Sequence, residues 1–422
     1  MRKGSQNLIT GIDIGSSAVR LAVGQFVRRD GSDEELELQI LGAVEAPSSG
    51  VKNGTINSID DVVSSVSACL EEAERVVGSP IKSAWVGVSG HNIISQPSRA
   101  YVAVSKGDNE ITREDVLRVI ESSKSVATPL NFEVLHVLPK SFSIDGQSNI
   151  KDPIGMTGMR LEVDSQIILG PTPQIKNLTR AIFRTGLEID GLVLNIIAAS
   201  DAVLTDQQKE IGVVVVNIGV STTSLVVFEE GEIIHTAVLK VGSGHVTNDL
   251  ALGLRTNVDV AEAIKIEFGD CVSSNINRRD EIDLQTLGAP EQEFVRKQMV
   301  GEIVEMRMEE ILQMIDADLR KINRNGNLPA GAVFIGGGAK IPHLVDLARK
   351  KLRLPAMLGY PLDMIGVSDR ISDLSFTTAI GLVKNGAMES VTGPANSVMG
   401  ASRRKAGGWL KKFGQWFKIL IP

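Results

Sequence analysis

The apolar pattern changes period along the chain, and one of its strand-like stretches occurs twice. Residues 8–27, LITGIDIGSSAVRLAVGQFV, put β-branched and apolar residues on both sides of a Gly-Ser turn, which predicts strand, turn, strand. Residues 212–234, GVVVVNIGVSTTSLVVFEEGEII, read the same way and continue through a Glu-Glu-Gly turn. Laid one over the other, IDIGSSAVRLAV and VNIGVSTTSLVV match position by position: Asp13 over Asn217, Gly15 over Gly219, Ser17 over Ser221. A strand delivering a Gly/Ser/Thr turn has the shape of a phosphate-binding loop, although tight hairpins use the same residues. Two matched units in separate halves predict a duplicated fold, with a cleft between the halves and a phosphate loop on each side. A third cluster, VFIGGGAK at 333–340, joins an apolar strand to three glycines. A helix follows with Leu344, Leu347, Ala348 and Leu352 on one face. The glycine spacing fits neither GxGxxG nor a Walker A loop.

Helical spacing predicts helices at 58–77, 112–127, 173–186, 244–253, 257–267 and 290–322. Along the last, Met299, Met306, Met308 and Met314 are expected in the core rather than around a cofactor. Residues 386–407 are rich in Gly, Ser and Ala with no apolar period, and predict a flexible linker. Beyond it, GWLKKFGQWFKILIP (408–422) sets Trp409, Leu410, Phe413, Trp416, Phe417, Leu420 and Ile421 on one helical stripe. Lys411, Lys412 and Lys418 fill the other side. That combination predicts a helix lying in the interface of an anionic bilayer; the alternative is a terminal helix docking on the protein's own core.

Charge sharpens this picture. The chain of 422 residues carries a net charge of −7. Six basic residues and no acid follow Glu389, so the body before them carries −13. An acidic body with a basic tail points the tail at something anionic, and the body has no basic patch with aromatics for nucleic acid. Cys69 and Cys271 are far apart, and the five histidines have no ligand spacing, so neither a disulfide framework nor a zinc site is expected. The N-terminus has no signal-peptide run, and no stretch of about 20 apolar residues predicts a spanning helix.

Several longer blocks resemble the FtsA family of bacterial cell-division proteins, within the actin/hexokinase/chaperone ATPase superfamily. EITREDVLRVIE (110–121), HVLP (136–139) and IKDPIGMTGMRLEVD (150–164) are similar to its subdomain 1C and the exit from it. VGSGHVTNDLALGLRTNVDVAEAIKIEFG (241–269) is similar to its 2B entry, and 408–422 to its membrane-targeting helix. The likeness covers residues 8–388 and 408–422.

The resemblance implies an α/β, actin-like duplicated fold with four subdomains and a C-terminal amphipathic helix. Subdomain 1A takes 7–82, 165–200 and a closing helix at 371–388; 1C takes 83–164; 2A takes 201–242 and 325–370; 2B takes 243–324. A linker at 389–407 leads to the membrane helix at 408–422. The resemblance also implies actin-like filaments at the division septum, on the cytoplasmic face of the inner membrane. The C-terminal peptide of the tubulin-like FtsZ is expected on 2B, with Arg296, Lys297 and Arg307 as candidate contacts; a solvated helix face is the alternative. Later division proteins such as FtsN are expected on 1C.

For the nucleotide, ATP with Mg²⁺, the resemblance assigns Asp13, Gly15, Ser16 and Ser17 in loop one. In loop two it assigns Asn217, Gly219, Ser221, Thr222 and Thr223, with Gly242 beyond. Glu262 and Lys265 would flank the adenosine, and Gly336, Gly337 and Gly338 would lie against base and ribose. No catalytic or metal-ligating residue is assigned. Two departures matter: Asn217 stands where the family usually has Asp, and Ala18 where it often has Lys. A neutral amide is a weaker partner for Mg²⁺ or its water, and the missing Lys removes a point charge for phosphate. Weakened ATP binding without rapid hydrolysis is therefore expected. The competing readings are a PilM-like scaffold of pilus assembly, which would lack the tail helix, and an ATPase or kinase, which would need a free carboxylate base in the cleft.

Overall fold

The computed structural model describes residues 8–28, 36–104, 107–125, 128–362, 364–366 and 369–392. The tail helix expected at 408–422 and the linker from 393 onward lie outside the described residues.

Two sheets repeat one plan. In the first half, β1 (Ile9–Ile14) is buried along its whole length and pairs antiparallel with β2 (Ala18–Arg28), which pairs antiparallel with β3 (Leu36–Pro47). On the other side of β1, β4 (Ser83–Val88) and β5 (Glu188–Leu194) continue the sheet in parallel. In the second half, β6 (Val213–Ile218), β7 (Thr223–Glu229) and β8 (Glu232–Leu239) form the antiparallel meander. There, β9 (Gly331–Ile335) and β10 (Ala356–Leu358) add the parallel strands. The orders are β5-β4-β1-β2-β3 and β10-β9-β6-β7-β8, with Ile365–Gly366 extending the first sheet beside β3. The duplication in the sequence is thus a duplication of topology. The unbroken valines of β6 follow from burial on both faces: Val213 and Val215 enter one core cluster, Val214 and Val216 another.

Between β4 and the helix Thr172–Arg184 lies a separate antiparallel sheet. Its strands are ordered Ile94–Ala103, Arg160–Pro171, Phe132–Ile144, Gln147–Ile150. Helix Arg113–Ser123 covers it and closes a core of its own with Ile111, Val116, Ile120, Phe142 and Leu161. This shifts the boundaries expected from sequence. Ser83–Val88 belongs to the first sheet, so the insert starts after it rather than at 83. Residues 160–171 form one strand, of which 160–169 keep continuous register with 94–103, so the insert runs past 164. The covering helix, expected to 127, ends at Ser123.

In the second half, Ser243–Gly253, Val258–Phe268 and Lys297–Lys321 pack around the core. The long helix expected at 290–322 starts only at Lys297, because Phe294–Arg296 pairs as a strand with Glu281–Asp283. Its buried stripe is Val300, Val304, Met308, Ile311, Ile315 and Leu319. Met299, Met306 and Met314 fall off that stripe and are exposed, so of the four methionines expected in the core only Met308 is there.

One helix reaches across the halves and a second packs on it. Asn195–Val203 follows β5 but reaches across to β6 and β7, while Thr377–Thr392 packs on β1 and β2. Ala387 and Met388 are buried, and a Cβ on Gly386 would lie 2.5 Å from the Trp85 ring. That packing carries the closing helix to Thr392, past its expected end at 388 and into the segment read as linker.

Candidate nucleotide site

The two loops are built by the same hydrogen bond. Gly15 N donates to the Ala18 carbonyl at 3.0 Å, and Gly219 N donates to the Thr222 carbonyl at 2.9 Å. A Cβ on either glycine would lie 3.0 Å from that carbonyl, so the tight turn accounts for both. The N–H groups of Ser16, Ser17, Val220 and Ser221 have no protein acceptor among the described residues. Unpaired loop N–H groups at two facing turns are the donor set that phosphate oxygens require.

Loop two is clamped from behind. Ser243 N donates to the Gly219 carbonyl and Gly244 N to the Val220 carbonyl, both at 2.8 Å. A Cβ on Gly242 would lie 2.4 Å from the Gly219 carbonyl. Gly242 therefore serves the approach of helix to loop. Thr223 is fully buried and donates to the Val241 carbonyl at 2.8 Å, turned away from the cleft. Val220 stays exposed beside Ser221.

Where the sequence resemblance implies adenosine, Lys265 is buried and its Nζ lies 2.6 Å from Glu262 Oε2 and 2.9 Å from Thr247 Oγ1. The structure so brings Glu262 and Lys265 together and adds Thr247, which only the packing of the two helices reveals. The three glycines differ. Gly336 has φ +87°, and a Cβ there would lie 2.2 Å from Asn217 Oδ1. A Cβ on Gly338 would lie 2.4 Å from Ile218. Gly337 alone is open, its nearest such neighbour being Ser375 Oγ at 3.6 Å.

Asp13 is the loop carboxylate. It is buried and accepts from Asn195 Nδ2 at 2.7 Å, with Arg20 directly opposite on β2. Burial raises its pKa, and the nearby Arg20 and the Asn195 bond pull it back. Asn195 stands at the head of the inter-half helix and has no counterpart in any local motif. A nucleotide's phosphates fit the free loop amides. For Mg²⁺ the loops offer only the buried Asp13 and the neutral Asn217, so phosphate oxygens and water would have to supply most of its ligands.

The turn Asn53–Gly54, between two short strands at Val51–Lys52 and Thr55–Ile56, was not expected at the site. Gly54 N donates to Ser16 Oγ at 3.4 Å, and a Cβ on Gly54 would lie 3.9 Å from Thr222 Cγ2. The turn so touches loop one directly and lies close to loop two.

The candidate partner residues are differently placed. Arg307 makes a two-pronged contact with Asp249 and also meets Glu310. Lys297 Nζ lies 5.6 Å from the centre of the Phe268 ring, and Arg296 is exposed. Among the described residues no helix is long and apolar enough to cross a membrane.

Comparison with known proteins agrees with this architecture. A family model described as "Cell division protein FtsA" matches residues 214–381, and one described as "SHS2 domain inserted in FTSA" matches residues 90–169. The chain is 34% identical over 398 residues to the cell division protein FtsA of Pseudomonas aeruginosa, covering 94% of each. It is 34% identical to that of Bacillus subtilis over 90% of this chain and 83% of the relative. Among solved structures, the PilM–PilN type IV pilus biogenesis complex matches with TM-score 0.64 at 15% identity, over 90% of this chain and 98% of the other. MreB5 of Spiroplasma citri bound to ADP matches with TM-score 0.52 at 12% identity, over 93% and 99%. At such identities these two speak for the fold alone, and that fold is actin-like.

Proposed function

The chain belongs to the FtsA family of cell-division proteins, and from that premise we propose that it is a nucleotide-binding, filament-forming tether on the cytoplasmic face of the inner membrane at the septum. The observation that carries the nucleotide part is the pair of facing loops with unpaired N–H groups at Ser16, Ser17, Val220 and Ser221. In this reading ATP phosphates sit between the loops, Glu262 and Lys265 border the adenosine, and Gly337 gives the base a bare backbone to lie against. Any Mg²⁺ would be held by phosphate oxygens and water. The protein's own residues bind and orient the nucleotide. Asp13, the carboxylate of loop one, is buried and bonded by Asn195, which makes it a poor general base. Turnover is therefore slow, below roughly one phosphate per second. Nucleotide in this scheme sets the relation of the two halves, and hence polymerisation.

The membrane is reached through 408–422, whose stripe of Trp409, Phe413, Trp416 and Phe417 enters the interface while Lys411, Lys412 and Lys418 meet anionic headgroups. FtsZ is bound on the 243–324 region. Arg296, exposed, is the first candidate there, because Arg307 already pairs with Asp249 and Glu310. Later division proteins dock on the inserted sheet.

Co-sedimentation with anionic liposomes, with and without ATP and an FtsZ C-terminal peptide, tests the whole scheme. The full chain is expected to pellet with the vesicles, to polymerise with ATP, and to carry the peptide down. A chain ending at 407 should remain in the supernatant; if it pellets equally well, the membrane role of the tail is wrong.

A further inference from the structure

The Asn53–Gly54 turn touches more than phosphate loop one. The Gly54 carbonyl accepts from Gln174 Nε2 at 2.8 Å, and the Asn53 carbonyl accepts from His91 Nδ1 at 3.0 Å. A Cβ on Gly54 would lie 3.1 Å from Gly90 Cα. Gly90 and His91 lead into the inserted sheet, and Gln174 stands in the first turn of the helix that leaves it. One turn so joins loop one to both ends of the insert. Under it lies a cavity of about 30 Å³, lined by Ile14, Val51, Ile56, Ile93, Ile175 and other residues.

The insert also reaches the second half directly. Lys151 Nζ donates to the Glu230 carbonyl at 2.9 Å and lies 3.3 Å from Glu210 Oε1. Both charged side chains are more than half exposed, so this pair is weak and easily undone. The bond from Gly54 N to Ser16 Oγ is also at the long limit for a hydrogen bond.

We propose that the Asn53–Gly54 turn couples phosphate occupancy of loop one to the seating of the inserted sheet on the second half, through Gln174 and Lys151. A phosphate drawn to the loop amides competes for the Ser16 hydroxyl and displaces the turn. The close Gly54–Gly90 approach passes that displacement to the base of the insert, and the Lys151 contact is the one that gives. The proposal rests on the nucleotide reading above.

Hydrogen exchange of the full chain, with ATP affinity measured in parallel by titration of a fluorescent ATP analogue, tests it. ATP is expected to speed exchange at residues 147–152 by at least about threefold. Gln174→Leu and Gln174→Glu should bind the analogue within about threefold of the parent yet lose this response. Lys151→Ala, on the surface, should show the faster exchange without ATP. If the analogue binds but exchange at 147–152 does not change, or if both Gln174 variants keep the full response, the coupling is refuted. If the analogue does not bind, the nucleotide reading falls and takes the coupling with it.

Discussion

At the scale of single residues, the three glycines at 336–338 separate packing from ligand contact. Gly336 has φ +87°, and an added Cβ would lie 2.2 Å from Asn217 Oδ1, so Gly336→Ala strains the backbone and displaces loop two. A loss of about 1–3 kcal/mol in urea unfolding is expected. Gly337→Ala meets nothing closer than 3.6 Å and should change stability by less than about 0.5 kcal/mol. Its effect belongs to the nucleotide, and the titration that follows binding should show weakened affinity. In the sequence the three are alike. Only the dihedral and the neighbour across the loop tell them apart. Asn217 is reweighed in the same way: beyond lacking a charge, it fills the space beside Gly336.

At the scale of elements, the decisive pair is the inter-half helix Asn195–Val203 and the closing helix packed on it. Every residue of Asn195–Val203 is buried, so NIIAASDAV has no polar face, and periodicity gave no sign of a helix there. Its partner crosses it at Gly381, where a Cβ would lie 2.0 Å from the Ala198 carbonyl. Gly381→Ala must push the helices apart and should cost about 1–3 kcal/mol by overpacking, read from the urea midpoint. Beneath the crossing, Lys209 Nζ lies 2.6 Å from Asp201 Oδ1 with both side chains 6% exposed, and Asn385 Nδ2 donates to the same carboxylate at 3.3 Å. Lys209→Met leaves a buried carboxylate without its cation and is expected to cost about 3–5 kcal/mol. The double change with Asp201→Asn should recover part of that loss. If it recovers none, the charge pair is not what the single change disrupts. The amphipathic helices, by contrast, were legible because one face of each meets water.

At the scale of the whole molecule, stability depends on pH where the insert meets the second half. Burial pushes Glu232 up from its ordinary 4.5 to about 7, opposed by Lys151 and reinforced by Glu210. The folded state therefore holds this proton more tightly than the unfolded state. Its contribution is complete below about pH 4.5 and is lost as pH rises through about 7. The melting temperature is expected to fall between these values, and calorimetry on Glu232→Gln should show a shallower fall. Lys151→Ala should steepen it, since Lys151 favours the ionised form.

The sequence by itself determined the repeated unit, the two phosphate turns, the amphipathic helices and the basic tail, because each is written in spacing over a few turns or one strand. It also carried the family, through blocks such as IKDPIGMTGMRLEVD. Tertiary structure decided which of those residues meet. Asn195 reaches Asp13 across 182 positions, Gln174 reaches Gly54 across 120, and Thr223 turns inward to Val241. It also carried the closing helix through Ala387 and Met388, where composition alone reads as linker. The physical reason is the same throughout. Period and turn chemistry act between neighbours in the chain, whereas burial and close approach depend on which surfaces the fold brings together.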